Sequence, residues 1–199
     1  MNFIQHSFRN AETIFTNDTR YISLWNELVN TITEITDNDI IEHFNSNPSN
    51  SMKSISDAIN KLIDARLHAL GWSRQSPIFN DLDYISGNWW SLDFAKDEIS
   101  VEVAFNHSGV IAWNLIKPVL ASELNHVEKA IQTSAGVIVA ATDAMRVAGN
   151  FDSAIGTYEK FLKYLKPLNN ILTVPLMIIG LEAPNTFIIN SNTRNVEMI

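Results

Sequence analysis

Apolar residues recur at two different spacings along this chain. In residues 11–44 and 56–70 they return every three to four positions, which predicts amphipathic helices. Ser56 suits the N-cap of the second helix and Gly71 suits its end, because serine accepts bonds from free N–H groups and glycine tolerates a left-handed backbone. Between the two helical stretches, residues 45–56 are small, polar and proline-containing, which predicts a flexible loop.

The second half of the chain alternates helical and strand-like patterns. Residues 110–132 predict a long helix that Pro118 interrupts near its start, and residues 158–165 predict a short helix. Residues 136–141 and 174–181 are continuous apolar runs, which are typical of strands buried on both faces.

A pair of strands is predicted near the centre, at residues 89–94 and 98–105, joined by a turn at 95–97. Residues 142–157 and the tail from residue 182 are loop-like. The order helix, helix, strand pair, helix, strand, helix, strand indicates an α/β fold with a central mixed sheet flanked by helices.

The length predicts a single domain over residues 1–199. We expect an N-terminal helical part at 1–56, a core at 57–181 that carries the chemistry, and a C-terminal tail at 182–199. A chain of this length is able to bury a sizeable core.

Composition excludes several classes of protein. The absence of cysteine excludes disulfides, thiol catalysis and cysteine-bound zinc. No apolar run approaches the roughly 20 residues of a membrane span, and no signal-peptide pattern is found, so we expect a cytoplasmic protein without a membrane partner. Glycine-rich phosphate loops are missing, which argues against a nucleotide cofactor. The net charge of −8 means that any nucleic-acid-binding face is local rather than global.

Two acidic residues in the predicted strand pair are the main chemical candidates. Asp93 lies nine residues before Glu102, and Glu102 interrupts an otherwise apolar strand. A buried carboxylate is costly unless it is paired or binds a metal ion. Mg²⁺ prefers oxygen ligands, so two carboxylates converging from neighbouring strands suit a Mg²⁺-dependent phosphodiesterase. A solvated hairpin acid beside an edge-strand acid is the alternative.

The order of these landmarks resembles the PD-(D/E)xK nucleases, and in particular the type II restriction endonucleases of the BglII and BstYI kind. The resemblance extends over residues 57–181 and lies in a helix-to-tryptophan block, an active-site hairpin and the later strands with their connecting helix. The matching positions are Asn60 and Trp72, Asp93-Phe94, 101–105, 136–139, 157–159 and 174–181.

One position departs from the family pattern. The family carries glutamine two residues after the glutamate, and the wider superfamily usually carries lysine, whereas this chain has Ala104. A second metal ion, the substrate phosphate or a polar side chain such as Gln75 could instead position the attacking water.

The resemblance implies the fold, the activity and the partners. It implies a restriction-endonuclease-like fold, with Asp93 and Glu102 as catalytic residues and, together with the carbonyl of Val103, as Mg²⁺ ligands. It further implies a homodimer, with helix 110–132 at the dimer interface, that hydrolyses both strands of a short palindromic double-stranded DNA site and leaves 5′-phosphates.

Candidate DNA-binding residues lie in three polar segments. The first follows the catalytic strand, where asparagine pairs well with adenine, although a capping turn is the alternative. The second lies in residues 142–153, and the third is a lysine in the 45–56 loop. The candidates are Asn106, His107, Ser108, Thr142, Arg146, Asn150, Ser153 and Lys53.

Three functions remain open from sequence. The first is a type II restriction endonuclease of a restriction-modification system. The second is a sequence-specific DNA-binding protein on a nuclease fold, with weak or no cleavage because Ala104 replaces the usual glutamine or lysine. The third is a repair or structure-specific nuclease on the same fold.

Overall fold

The computed structural model describes residues 1–46, 53–85, 88–123 and 127–199. Its strands are β1 Phe3–Phe8, β2 Ser73–Pro77, β3 Ser91–Lys96, β4 Ile99–Val103, β5 Ala135–Ala141, β6 Leu176–Leu181, β7 Phe187–Ile189 and β8 Val196–Met198. Its helices are α1 Ala11–Asn17, α2 Ile22–Thr33, α3 Asp37–Asn45, α4 Ser56–Ala69, α5 Leu82–Ile85, α6 Ile111–Ser122, α7 Asp143–Ala148 and α8 Tyr158–Leu165. None of the helices in these ranges is both long and apolar enough to cross a membrane.

A six-stranded sheet organises the fold, in the order β1-β6-β5-β4-β3-β2. The three central strands, β4, β5 and β6, run parallel, and the outer pairs are antiparallel. The predicted mixed sheet is therefore confirmed. The short strands β7 and β8 form a separate hairpin in the tail.

Helices cover both faces of the sheet, as the sequence predicted. Alternate strand residues point to opposite faces, so each central strand supplies side chains to two cores. One core lies under α1–α4 and takes Val101, Val137, Val139, Met177 and Ile179 from the sheet. The other lies under α6 and α8 and takes Ala104, Ile138, Ala140, Leu176 and Ile178.

The N-terminal prediction needs correction in two respects. Residues 11–44 form three helices rather than one, because Thr36 and Asp39 make a reciprocal capping box that starts α3. Residues 3–8 form an edge strand, β1, which pairs with β6 and joins the N-terminal part to the sheet. None of its side chains is fully buried, so it lacks the continuous apolar run of the buried strands.

The α4 prediction is confirmed in its extent but wrong at its cap. The N-cap is Ile55, without a side-chain capping bond, and Ser56 is the first helical residue. Gly71 ends the helix as predicted, with a left-handed φ of 85°. Of the predicted loop at 45–56, residues 47–52 lie outside the described part of the chain.

The predicted helix at 110–132 is too long. Helix α6 starts at Ile111, contains Pro118 and ends at Ser122, and residues 127–134 follow as irregular chain. The carboxyl-terminal apolar residues Val127 and Ile131 pack against a small core without being helical. The predicted loop at 142–157 likewise contains a short helix, α7, which Thr142 caps.

Candidate active site

The two candidate carboxylates lie where β3 and β4 separate. The recorded pairing of these strands begins with Phe94 opposite Val101, and the acids come directly beyond that pair. Each acid accepts a bond from the backbone of β3 or β4. The Oδ2 atom of Asp93 accepts from the N–H of Val103 at 2.8 Å, and Oε1 of Glu102 accepts from the N–H of Asp93 at 3.3 Å. We call Asp93 and Glu102 in this arrangement the carboxylate fork.

Burial dominates the electrostatics of the carboxylate fork. Glu102 is 2% exposed, and desolvation together with the nearby charge of Asp93 raises the pKa of Glu102 to about 8. Desolvation also raises the pKa of Asp93, while the bond from the Val103 N–H opposes that rise. Both acids therefore ionise less readily than usual. A bound cation would stabilise their ionised forms.

A lysine that sequence reasoning missed completes the carboxylate fork. The Nζ atom of Lys117, on α6, donates to Oε2 of Glu102 at 2.8 Å, and Lys117 is only 9% exposed. The available signal was a lone lysine inside the apolar stretch of α6. Among the described residues, Lys117 forms the only ion pair recorded for either carboxylate.

A cleft of about 310 Å³ opens beside Asp93. It lies between α4 and the sheet and is polar on the helix side. Its lining includes Asn60, Lys61 and Asp64 from α4, Gln75 from β2, Asp93 from β3 and Val103 from β4. Its volume leaves room for a phosphate group beside the carboxylate fork.

Gln75, which the sequence suggested as a polar substitute for the missing family residue, is brought to this cleft. Its Nε2 atom lies 3.5 Å from Oδ1 of Asp93. Its backbone is left-handed, with a φ of 43°. A glutamine in that conformation is strained, and such strain is common at functional sites.

The residues of the carboxylate fork fit a hard divalent cation. Their donor atoms are carboxylate oxygens, which Mg²⁺ prefers, and burial raises the pKa of both acids. In the described ranges no cluster of three or more histidine, cysteine or acidic side chains could hold a metal. The carbonyl of Val103, next to Glu102 in the chain, is the third protein ligand that the family resemblance implies.

Three loop segments meet beside the carboxylate fork and form what we call the loop rim, made of residues 53–55, 105–108 and 149–156. The N–H of Ile55 donates to the Gly149 carbonyl at 3.1 Å, and the N–H of Gly156 donates to the Asn106 carbonyl at 2.9 Å. The N–H of Ser108 donates to the Ala154 carbonyl at 2.8 Å. Predicted DNA contacts from distant parts of the chain are thereby placed together.

The first loop carries exposed but partly engaged side chains. Asn106 is exposed, and its Oδ1 atom accepts from Nδ2 of Asn114, a buried residue of α6, at 3.1 Å. His107 is also exposed, and its Nδ1 atom accepts from the N–H of Gly109 at 2.9 Å. Ser108 is half-buried. The segment therefore forms a turn of the kind expected under the alternative, and it also exposes polar side chains to solvent.

The remaining candidates divide into exposed and internal residues. Lys53 and Ser153 are exposed on the loop rim, where Nδ2 of Asn150 donates to the Lys53 carbonyl at 2.7 Å. Arg146 is half-buried beside Asp143. Thr142 is buried, and its hydroxyl donates to the Leu181 carbonyl and accepts from the Met145 N–H. Thr142 therefore serves as a helix cap, and we do not retain it as a DNA contact.

Comparisons with known proteins bear on the family and the fold of this chain. A family model described as restriction endonuclease BglII/BglIII matches residues 3–181. The crystal structure of restriction endonuclease BglII complexed with a DNA 16-mer superposes with a TM-score of 0.66 at 18% identity, covering 98% of this chain and 87% of that one. The crystal structure of free BglII superposes with a TM-score of 0.58 at 20% identity, covering 94% and 83%. No curated protein sequence matches the chain.

Proposed function

The chain belongs to the BglII/BglIII family of restriction endonucleases, and on that premise we propose how it acts on DNA. As a type II site-specific nuclease, it hydrolyses both strands of a short palindromic double-stranded site in a Mg²⁺-dependent reaction. The observation that carries the proposal is the buried carboxylate fork beside an open polar cleft. We place this activity in the cytoplasm of a prokaryotic cell, as part of a restriction-modification system.

The carboxylate fork supplies the ligands. Asp93 and Glu102 provide carboxylate oxygens and Val103 its carbonyl, and their bonds to the backbone of β3 and β4 fix the two side chains in place. A bound Mg²⁺ would polarise the scissile phosphate and lower the pKa of a water molecule. The protein contributes the fixed ligand set and a cleft that restricts the orientation of the scissile phosphate.

The reaction we propose is in-line displacement at phosphorus. A water oxygen forms a new P–O bond, the bond from phosphorus to the 3′ oxygen breaks, and the departing oxygen takes up a proton. The products are a 5′-phosphate and a 3′-hydroxyl. Gln75, at 3.5 Å from Asp93, is the polar side chain of the cleft best placed to orient the attacking water.

The loop rim is the proposed surface for reading DNA. Asn106, His107, Ser108, Arg146, Asn150 and Ser153 are the proposed contacts, with Lys53 on backbone phosphate. Amide and hydroxyl groups read base edges, whereas lysine contacts phosphate irrespective of sequence. The DNA 16-mer bound by the structural relative supports double-stranded DNA as the partner.

A homodimer would place two carboxylate forks on opposite strands, which is the arrangement that a palindromic site requires. An exposed tryptophan that stacks on a residue of α6 supports this proposal. Trp89 is 63% exposed and stacks on Trp113 with ring centroids 5.7 Å apart. Exposed aromatic side chains of this size are typical of protein interfaces.

A DNA-binding protein with weak or no cleavage is the second candidate, and Ala104 is the observation that favours it. Ala104 is 1% exposed and carries no polar atom toward the carboxylate fork. The two candidates differ only in cleavage, because both require the loop rim to bind a specific site.

The decisive experiment incubates the purified protein with unmethylated phage DNA and Mg²⁺. Asp93→Ala is the inactive variant, and Asp97→Asn, in the exposed turn at the other end of the same hairpin, is its matched control. Discrete fragments from the wild type and Asp97→Asn, and none from Asp93→Ala, support the proposal. Intact DNA with a sequence-specific gel shift supports the second candidate, and a featureless smear contradicts both.

A further inference from the structure

We propose that Lys117 is a positioning residue of the catalytic centre, supplying from helix α6 the cationic group that the strand lacks at Ala104. The inference rests on the proposed function. It assigns a role in the reaction to a residue outside the hairpin, on the evidence of its contact, its burial and the space beside it.

The contact fixes the orientation of Glu102. Lys117 holds Oε2 at 2.8 Å, while the N–H of Asp93 holds Oε1 at 3.3 Å. With both oxygens engaged, the carboxylate has no freedom to rotate about its terminal bond. Each oxygen nevertheless keeps a second lone pair, because a carboxylate has about four acceptor sites. Glu102 is therefore held for coordination without being blocked.

The charge of Lys117 also bears on the substrate. Two adjacent carboxylates disfavour the negative charge that develops on the reacting phosphate in the transition state, and this repulsion is strong where water is excluded. Lys117 offsets part of that negative charge from within the protein. Lys117 contacts Glu102 and does not line the cleft, so it leaves the cleft free for DNA.

Stability alone does not explain a lysine at this position. Replacing a buried ion pair with apolar residues is often neutral or stabilising, so a buried pair is weak evidence for a structural role. The residues three and four positions after Lys117 on α6, Leu120 and Ala121, pack in an apolar core. A methionine in place of Lys117 would suit that core.

Ala104 and Lys117 are complementary in space. Ala104 follows Glu102 by two residues and packs in the same core as Ile111 and Leu115 of α6. Because the side chain of Ala104 is small, α6 is able to pack close to the strand at this position. A long side chain at 104 and a long side chain at 117 would compete for the same region, so the cation is supplied from one position or the other.

The test uses two variants with opposite expectations. Lys117→Met removes the charge and keeps the bulk, whereas Lys117→Ala combined with Ala104→Lys moves the lysine to the strand and conserves total side-chain volume. Each is compared with wild type for single-turnover cleavage of a mapped site, for DNA affinity without Mg²⁺, and for Mn²⁺ affinity by calorimetry.

We expect Lys117→Met to lower the cleavage rate by more than about tenfold, since preorganised charged groups contribute at least this much to a reaction. Its DNA affinity should stay within about twofold, because exposed loops rather than the carboxylate fork carry the DNA contacts. Its Mn²⁺ affinity should change by less than about threefold, because the freed Glu102 carboxylate weakens coordination while the loss of a neighbouring positive charge strengthens it. The double variant with the relocated lysine should cleave at least about threefold faster than Lys117→Met, because it restores a positive charge close to Glu102.

The inference is overturned if Lys117→Met cleaves within about tenfold of wild type, or if the relocated lysine restores nothing, since a positioning charge must act from either place. A fall in Mn²⁺ affinity as large as the fall in cleavage rate would also overturn it, because Lys117 would then act only on metal binding and not on the reaction. If that variant loses its DNA complex through misfolding, the relocated lysine decides the question alone. An inactive wild type, by contrast, contradicts the proposed function and not the role of Lys117 specifically.

Discussion

The carboxylate fork and the loop rim adjoin each other, yet they are built in opposite ways. The fork is closed: Glu102 and Lys117 are almost completely buried, and both oxygens of Glu102 have partners within the fold. The rim is held by backbone bonds between its segments, while side chains such as Asn106 and Ser153 face solvent.

This difference separates two physical requirements of a site-specific nuclease. Hydrolysis makes the same demand at every phosphate, so its groups need one fixed geometry and low exposure to water. Reading a site needs polar side chains that are free to meet base edges. Asn114 and Lys117, three residues apart on α6, connect the two regions, since one bonds to Asn106 and the other to Glu102.

Removing one charge from the carboxylate fork is the strongest test of whether the fork carries the chemistry and the loop rim carries DNA binding. Glu102→Gln keeps the side-chain shape, and we expect single-turnover cleavage to fall on the order of 10²–10³-fold with DNA affinity unchanged. Asp97→Asn, which alters an acid of the same hairpin, should retain activity. An equal loss in both variants would show that the hairpin is merely fragile and would contradict the assignment.

A second change tests whether the packing of the loop rim is required for DNA binding. In Gly149→Ala the new Cβ would lie 2.6 Å from Phe151 and 2.7 Å from Ile55, so the rim must shift. We expect a loss of about 1–3 kcal/mol in unfolding free energy, measured with denaturant, together with weaker DNA binding. Ala144→Ser, on the exposed part of α7, is the control. Unchanged DNA binding in a destabilised Gly149→Ala would remove this segment from the DNA-binding surface.

A single rim side chain should affect affinity and leave the chemistry alone. Asn106→Ala removes an exposed amide, and we expect DNA binding to weaken about five- to tenfold, as for the loss of a base contact. Cleavage of the bound complex in a single turnover should match wild type. Asn26→Ala, at an exposed position of α2, should change neither DNA affinity nor cleavage rate. A loss of cleavage rate without loss of affinity would instead indicate that Asn106 acts on the carboxylate fork through Asn114.

The remaining prediction is a pH dependence confined to the carboxylate fork. Burial raises the pKa of Glu102 to about 8, against 4.5 when it is unperturbed. Between these values the folded state keeps a proton that the unfolded state has lost, so the stability is full at low pH and falls as pH rises through the folded pKa. Without metal, Glu102→Gln should therefore gain stability relative to wild type from about pH 5 to pH 8. Denaturant titrations across this range measure the trend.

The control for that trend is Glu34→Gln, which removes an exposed acid and changes the net charge equally. Its stability relative to wild type should be level across the same range. A level difference for Glu102→Gln as well would mean that Glu102 is ionised in the fold throughout, with Lys117 offsetting the whole cost of its burial.

Local patterns were sufficient for much of this molecule. The apolar runs of β5 and β6, the three-to-four spacing of α4 and the isolated acids of the central hairpin are each determined by neighbouring residues, and each prediction of an element was confirmed. The resemblance to the restriction endonucleases was confirmed by the family match over residues 3–181.

Other features depend on contacts that no local pattern contains. Edge strand β1 forms because β6 offers it a partner more than 160 residues away in the chain. Helix α6 stops at Ser122 although the apolar spacing continues, since residues beyond it pack as irregular chain in a small core. Thr142 suits a DNA contact by its chemistry, yet the start of α7 uses its hydroxyl.

The sequence by itself indicated the order of the central strands and helices and the two candidate carboxylates, because periodicity and the cost of an acid in an apolar strand are local properties. Only the tertiary structure decided which groups surround those acids. Lys117 follows Glu102 by fifteen residues and reaches it from another layer of the fold, and Gln75 meets Asp93 from a neighbouring strand. Such encounters depend on how helices and strands pack, and packing is a property of the whole chain.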